Sequence, residues 1–185
     1  MQTIQPTHHT NFNYQPQTEK APASHNRKDE AFEVLRLLKR YGKPLGFKRG
    51  HIELLEHYIA IISPQDWEEG QTPICYQSTI KTADKLYISL RSLRYIESEL
   101  EEMGIIRIAR TNGGKRSGKR DKRGYLKAAS GIDLSPLLDA KDWIEDRARK
   151  EEMQRQEKEL LRKEIFHRRA QIRKLFDLLE GYEDK

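Results

Sequence analysis

Cysteine is almost absent from this chain of 185 residues, and other features that would define a protein class are missing as well. The single Cys75 excludes an intramolecular disulfide framework and a metal site built from cysteines alone. No run of about 18 apolar residues occurs, which argues against a membrane-spanning helix. The N-terminus also lacks the apolar segment of a secretory signal. We therefore expect a soluble, cytoplasmic protein with no membrane partner.

Apolar residues are scarce and charged residues are abundant. Hydrophobic residues make up 36% of the chain and aromatic residues 8%, whereas charged residues make up 35%. A chain of this length fits one domain of ordinary size plus extra segments. The core should be modest, because so few apolar side chains cannot fill a large globule.

The excess positive charge lies in one short segment. The net charge of the chain is +6, and residues 111–124 hold six cations against one anion. A patch this concentrated would attract a polyanion such as nucleic acid. A solvated surface loop would explain the same composition.

The N-terminal third of the chain predicts a tail followed by two helices. Residues 1–30 are polar and proline-containing, without an apolar period, and predict a disordered tail. Residues 31–41 and 51–62 carry apolar side chains at helical spacing. Trp67, which follows them, is expected to anchor the core.

Two further helices, separated by a short turn, are predicted after an extended segment at residues 73–76. Ser78 can cap the first and Ser89 the second, because a serine hydroxyl can accept from an unpaired N–H of the first turn. The second helix should end at Gly104, a natural residue for the position after a helix. Its inward-facing side chains are expected to be Leu93, Ile96 and Leu100.

Strands are predicted on both sides of the basic segment, at residues 105–109 and 125–132. Paired antiparallel, they would form a hairpin with an extended basic tip. The order is then helix, short strand, helix, turn, helix, strand, basic loop and strand, which is typical of a winged helix-turn-helix. We expect a mainly α fold with a small β-hairpin (α+β), followed by a long charged C-terminal helix.

Residues 142–181 predict one long helix, because no proline or glycine interrupts them before the end. An apolar seam at alternating steps of four and three occupies its second half. The seam covers fewer than three heptads, so self-association, packing against the helix of residues 31–41 and binding of another partner all remain open. Its members are Leu161, Ile165, Arg168, Ile172, Leu175 and Leu179. The predicted organisation is a tail at 1–30, a winged-helix domain at 31–140, the long helix at 141–181 and a short tail at 182–185.

The candidate DNA-binding residues fall into three groups. The recognition helix would read base edges in the major groove, with Arg91 and Arg94 best suited to pair bidentately with guanine. The alternative is that these arginines are surface charges balanced by Glu97 and Glu101. The remaining recognition-helix candidates are Ser89, Ser92 and Tyr95. The supporting-helix candidates, which would contact phosphates at most, are Gln77, Ser78 and Lys85. The wing candidates, which would neutralise phosphates, are Lys115, Arg116, Lys119, Arg120, Lys122 and Arg123.

Signatures of catalysis are missing from the sequence. Gly113, Gly118 and Lys119 fit part of a phosphate-binding loop, but Arg120 stands where a serine or threonine should meet magnesium, and no helix follows. No serine-hydrolase or zinc-deaminase motif occurs. We expect no enzymatic activity, no cofactor and no metal site.

Several blocks of the sequence resemble the N-terminal domain of RepC-type plasmid replication initiators. The likeness covers about residues 40–175, and its most specific piece is the run Asp-Leu-Ser-Pro-Leu at residues 133–137. Further pieces are Trp67, Pro73-Ile74, the block at residues 92–106 and the run Asn-Gly-Gly-Lys-Arg at residues 112–116. The resemblance implies binding to double-stranded DNA at a plasmid origin to start replication, with a replisome or partition protein as a possible partner of residues 142–181. Two alternatives remain: a winged-helix transcriptional repressor, and a non-enzymatic adaptor that acts through the long helix.

Overall fold

A computed structural model gives the structure of the chain and describes residues 26–109 and 115–183, with side chains described as far as residue 177. Most of the tail predicted at residues 1–30 lies outside the described residues. Its end is helical instead, since α1 spans Arg27–Tyr41. The side chain of Asn26 accepts a hydrogen bond from the N–H of Lys28 at 3.1 Å and caps this helix, which therefore starts before the predicted residue 31.

The core of the fold forms where α1 packs on α2, which spans Arg49–Ile61. The N–H of Lys48 donates to Nδ1 of His51 at 3.2 Å, so α2 begins two residues before the predicted start. A short 3₁₀ turn, Pro64–Trp67, follows α2. Trp67 is 1% exposed, which confirms it as a core residue.

A pair of helices follows a two-residue strand, β1, at Ile74–Cys75. Helix α3 spans Thr79–Lys85 and helix α4 spans Leu90–Glu102. Both predicted caps are confirmed. The hydroxyl of Ser78 accepts from the N–H of Lys81 at 3.3 Å, and the hydroxyl of Ser89 accepts from the N–H of Ser92 at 3.0 Å.

Two residues shape the ends of α4. Gly104, just after the helix, has a φ of +70°, which glycine adopts without steric cost. This conformation fits its predicted role as the residue that ends the helix. Tyr87, in the turn before the helix, has a φ of +54° and a side chain that is 96% exposed. The turn therefore presents an aromatic ring to solvent next to the start of α4.

The sheet is small and antiparallel. Its central strand is β4, Leu126–Asp133, which pairs with β1 on one edge and with β2, Arg107–Ala109, on the other. The predicted antiparallel pairing of the strands on either side of the basic segment is confirmed by the register Ile108↔Ile132.

The expectation of a long loop with an extended tip is wrong. Part of the basic segment forms a further strand, β3, at Ser117–Arg120, which pairs with β4. The side chain of Asp121 accepts from the N–H groups of Arg123 and Tyr125, at 2.8 and 3.0 Å, and closes a tight turn between the two strands. The basic segment is thus mostly an ordered hairpin, while its residues 111–114 lie outside the described residues.

The chain ends in a short helix, α5, at Ser135–Asp139 and a 43-residue helix, α6, at Lys141–Glu183. The contacts divide the chain into two compact units, and the second begins at Asp146 within α6. Arg168 and the apolar seam residues whose side chains are described are all exposed, Arg168 more than the others. The apolar ones are Leu161, Ile165, Ile172 and Leu175.

The predicted fold class, mainly α with a small β part, is confirmed. The domain boundaries at residues 30/31, 140/141 and 181/182 stay predictions, and residues 184–185 are outside the described part. None of the helices in the described residues is both long enough and apolar enough to cross a membrane.

Candidate nucleic-acid interface

The exposed side of α4 carries the strongest candidates for contact with bases. Arg91, Ser92, Arg94 and Tyr95 are all exposed, and the side chain of Tyr95 is 60% exposed. Among the described residues, neither arginine forms an ion pair with a carboxylate. Two guanidinium groups are therefore presented to solvent from the N-terminal half of one helix.

The alternative that Glu97 balances these arginines is wrong. Glu97 is 3% exposed and lies inside the fold. Its carboxylate accepts from Arg116 with both oxygens, at 2.6 Å each, and from the hydroxyl of Tyr58. Glu101, the other proposed partner, accepts from the N–H of Ile108 at 2.9 Å.

A network that the sequence did not suggest supports the middle of α4. Glu99 accepts from Nε2 of His51 at 2.9 Å and from Nζ of Lys48. Burial alone would raise the pKa of Glu99, but hydrogen bonds from Lys48, His51 and Tyr95 outweigh it and lower the pKa to about 2. Nζ of Lys48 also lies 5.3 Å from the centre of the Tyr95 ring, so a further cation stands beside the exposed side of α4.

The serines that begin α3 and α4 act first as caps. The hydroxyl of Ser89 lies 2.9 Å from that of Ser92 in addition to accepting from its N–H. Just before α3, Oε1 of Gln77 accepts from the hydroxyl of Thr82 at 3.0 Å and lies 2.8 Å from Nε2 of His57. Of the three supporting-helix candidates, Lys85 is the one that carries a charge, and its side chain is exposed. Ser78 and Gln77 shape the helix that carries it.

Arg116, a predicted phosphate contact, is a structural residue instead. Its side chain is 9% exposed and is held by Glu97 and by the hydroxyl of Tyr58, which lies 3.2 Å from Nη1. Burial and the negative charge of Glu97 raise the pKa of Tyr58, so its hydroxyl keeps its proton. The prediction for Arg116 is wrong because a buried carboxylate requires a cation, and Arg116 supplies it.

Arg120, a second predicted phosphate contact, fastens the hairpin to the 3₁₀ turn. Its two terminal nitrogens donate to the two oxygens of Asp66, at 2.7 and 2.6 Å, and Nη1 also donates to the carbonyl of Gly124 at 2.7 Å. Its Nε donates to the hydroxyl of Tyr76 at 3.2 Å. Asp66 is 1% exposed, so this pair also neutralises a buried charge. Both terminal nitrogens of the Arg120 guanidinium are thus already hydrogen-bonded within the fold.

The other four wing candidates are exposed. Lys122 and Arg123 occupy the turn between β3 and β4, and Lys119 precedes them on β3. Lys115 is exposed at the entrance to the hairpin. Four of the six predicted wing cations are therefore exposed.

The described residues contain no group of three or more histidine, cysteine or acidic side chains placed to hold a metal ion. An open cleft of about 410 Å³ has Cys75, Lys81, Arg116 and Arg120 in its walls, but both of its arginines are paired with carboxylates.

A comparison with protein-family models decides which family these elements represent. The model described as Replication protein C N-terminal domain matches residues 7–180, which is nearly the whole chain. The chain belongs to the replication protein C N-terminal domain family. The resemblance noted from the sequence is thereby confirmed. Comparisons with curated proteins and with solved structures give no match.

Three exposed side chains of this replication protein C domain escaped the sequence reasoning. Lys81 on α3 and Lys127 on β4 are exposed cations outside the charge-rich segment. Tyr87 is the aromatic residue in the turn between α3 and α4. Their positions close to predicted site residues were visible in the sequence, but a count of charge by segment does not single out isolated residues.

Proposed function

We propose that this replication protein C domain binds double-stranded DNA at a plasmid origin and thereby initiates plasmid replication. In this proposal α3 and α4 form the helix-turn-helix of a winged helix, and the β3–β4 hairpin is the wing. The observation that carries most weight is the pair of exposed guanidinium groups at Arg91 and Arg94. They have no acidic partner among the described residues, whereas the buried carboxylate of the same helix is neutralised from the hairpin.

Base recognition is assigned to the N-terminal half of α4. An α-helix fits the major groove, and a guanidinium can donate two hydrogen bonds to O6 and N7 of guanine. Arg91 and Arg94 would make such contacts, and Ser92 and Tyr95 would contribute further polar and apolar contacts. The capping hydroxyl of Ser89 would fix the start of the helix.

Phosphate binding is assigned to the exposed cations of the hairpin, together with Lys85. These contacts would set the orientation of the domain on the duplex without reading its sequence. Each neutralised phosphate releases counterions, so affinity should fall steeply with salt. The phosphate contacts of the hairpin are Lys115, Lys119, Lys122 and Arg123.

The proposed action is binding and bending, with no catalytic step by the domain itself and no cofactor. Bending a duplex by tens of degrees costs a few kcal/mol, which additional contacts offset, and an A·T-rich segment nearby would then open more readily. The double-stranded origin is therefore the partner that defines the function.

Footprinting on the chain's own coding region and its flanks tests the proposal. We expect one protected segment, and we expect a plasmid that carries only this gene and that segment to replicate in a suitable host. Protection of a promoter, with repression and no replication, would instead identify a transcriptional regulator. Failure to retard any duplex in a sequence-specific manner would favour an adaptor that acts through α6.

A further inference from the structure

The second half of α6 presents an apolar stripe that no part of the described chain covers. Leu161, Ile165, Ile172 and Leu175 are between 51% and 60% exposed, on a helix that is continuous through all of them. Their steps of four, three or seven residues keep them on one side of the helix. An exposed apolar stripe of this kind marks a surface that binds another apolar surface.

The types of residue along the stripe match those of a two-stranded coiled coil. In heptad notation, Ile165 and Ile172 occupy a positions, and Leu161 and Leu175 occupy d positions. Isoleucine at a with leucine at d favours two parallel helices. The sequence continues the spacing with Leu179 at the next a position.

The charges that flank the stripe also favour pairing with a parallel, identical helix. Glu157 and Glu164 occupy g positions, and Arg162 and Arg169 occupy the e positions that follow. In a parallel pair of identical helices, each g residue meets the next e residue of the other helix, which gives Glu157–Arg162 and Glu164–Arg169 contacts on both sides. An antiparallel pair would instead place g positions against g positions and e positions against e positions, so that neither glutamate would meet an arginine. All four side chains are exposed.

Arg168 is the one charged residue at a d position, and its surroundings fit this arrangement. Glu164 accepts from Nη2 of Arg168 at 2.6 Å and from Nε at 3.1 Å within the same helix. Two copies would therefore bring together two neutralised pairs rather than two bare cations. A polar layer of this kind lowers stability while it fixes register and the number of strands.

We propose that residues 157–179 of α6 form a parallel, in-register coiled coil with a second copy of this chain. The interface is distinct from the surface assigned to DNA and does not depend on that assignment. Because the seam is short and contains a polar layer, the dimer is weak and concentration-dependent.

Sedimentation equilibrium of the full chain, with charge-swapped variants, tests the interface. One variant carries Glu157→Lys and Glu164→Lys, and the other carries Arg162→Glu and Arg169→Glu. We expect the parent chain to dimerise, each variant alone to dimerise at least about tenfold more weakly, and an equimolar mixture to recover the parental affinity. Arg168→Leu should tighten the dimer. A monomeric parent chain, or a dimer that both variants leave unchanged, would overturn the proposal.

Cysteine crosslinking tests the orientation. Leu161→Cys places a thiol at a d position, where the two copies meet only in a parallel, in-register pair, and Lys163→Cys on the outer side is the matched control. Burial raises the pKa of Cys75 to about 11, which keeps the native thiol unreactive. We expect a disulfide-linked dimer from Leu161→Cys and none from Lys163→Cys. Crosslinking of Leu161→Cys only when mixed with Leu179→Cys would reveal an antiparallel pair and refute the parallel arrangement.

Discussion

Arg116 and Arg120 differ in role from the other cations of the basic segment. Each of them neutralises a buried carboxylate, Glu97 in one case and Asp66 in the other, through two terminal hydrogen bonds. Arg120 uses both terminal nitrogens on Asp66, whereas Arg116 uses Nη2 for both oxygens of Glu97 and Nη1 for the hydroxyl of Tyr58. Lysine would offer a single point of charge in either place. Arg116 and Arg120 thus stabilise the fold, although the composition of the basic segment suggested that all of its cations bind phosphates.

The Arg116 pair yields a prediction about stability. Arg116→Ala should lower the free energy of unfolding by about 3–5 kcal/mol, because it leaves the carboxylate of Glu97 buried without a cation. Urea unfolding of the purified chain measures this. Lys119→Ala is the control, since loss of an exposed lysine should change stability by no more than about 0.5 kcal/mol. Equal stability of the two variants would contradict the structural role of Arg116.

The carboxylate of Glu99 predicts a dependence of stability on acid. Its pKa in the folded chain is about 2, against an ordinary value of 4.5. A lowered pKa contributes stability that is present above about pH 4.5 and is lost as the pH falls toward 2. Between pH 5 and pH 2.5 the parent chain should lose about 1–2 kcal/mol more than Glu99→Gln, since Lys48 and Glu99 both keep contact with solvent. Equal losses in thermal unfolding of the two proteins would show that the network contributes nothing.

At the scale of elements, the β3–β4 hairpin is the part that the sequence predicted least well. The run Ser-Gly-Lys-Arg of β3 has no β-branched or aromatic residue, so its own propensity does not indicate a strand. Its conformation depends on pairing with β4 and on packing against Tyr76, whose ring would lie 2.8 Å from a Cβ added at Gly118. The pairing with β4 is a local hairpin, but the contact with Tyr76 joins residues far apart in the chain, and no local pattern encodes it.

The helices, in contrast, were predictable because their signals are local. Ser78, Ser89 and Gly104 mark ends within one turn of the residues that they serve, and the apolar spacing of α4 fixed its buried side. The error on α4 concerned Glu97, whose partner Arg116 is 19 residues away. The one sign of this ion pair in the sequence was therefore that Glu97, a charged residue, falls on the buried side of α4.

The exposed cations of the hairpin lead to a prediction about salt. Lys119→Ala, Lys122→Ala and Arg123→Ala combined should weaken binding to all duplexes and reduce the slope of log affinity against log salt by about 2.7. Binding titrations at several salt concentrations measure the slope. The matched control replaces three cations on the outer side of α6: Lys163, Arg173 and Lys174. A slope that falls equally in both variants would mean that the hairpin has no particular contact with DNA.

At the scale of the whole molecule, the sequence was sufficient to predict the fold class and the family. It was not sufficient to tell which cations pair with buried carboxylates and which stay exposed. The net charge of +6 and its concentration in one segment pointed to the region that forms the β3–β4 hairpin. Side-chain contacts over 19 and 54 residues then decided which cations stay exposed. The second compact unit, from Asp146 onward, was predicted as a helix with an unassigned seam, and its flanking charges select a second copy as the partner.

The central claim is that Arg91 and Arg94 on α4 read the origin sequence. Its most direct test is the ratio of affinities for the footprinted duplex and for a scrambled duplex of equal length, measured by fluorescence anisotropy at one salt concentration. Arg91→Ala with Arg94→Ala should reduce this ratio by at least about 30-fold, since each bidentate contact contributes about 1–3 kcal/mol of discrimination and the two together at least about 2 kcal/mol. Arg36→Ala with Lys43→Ala removes two cations near α1 and should leave the ratio unchanged. A ratio that survives the loss of both Arg91 and Arg94 would contradict the assignment of α4 as the recognition helix.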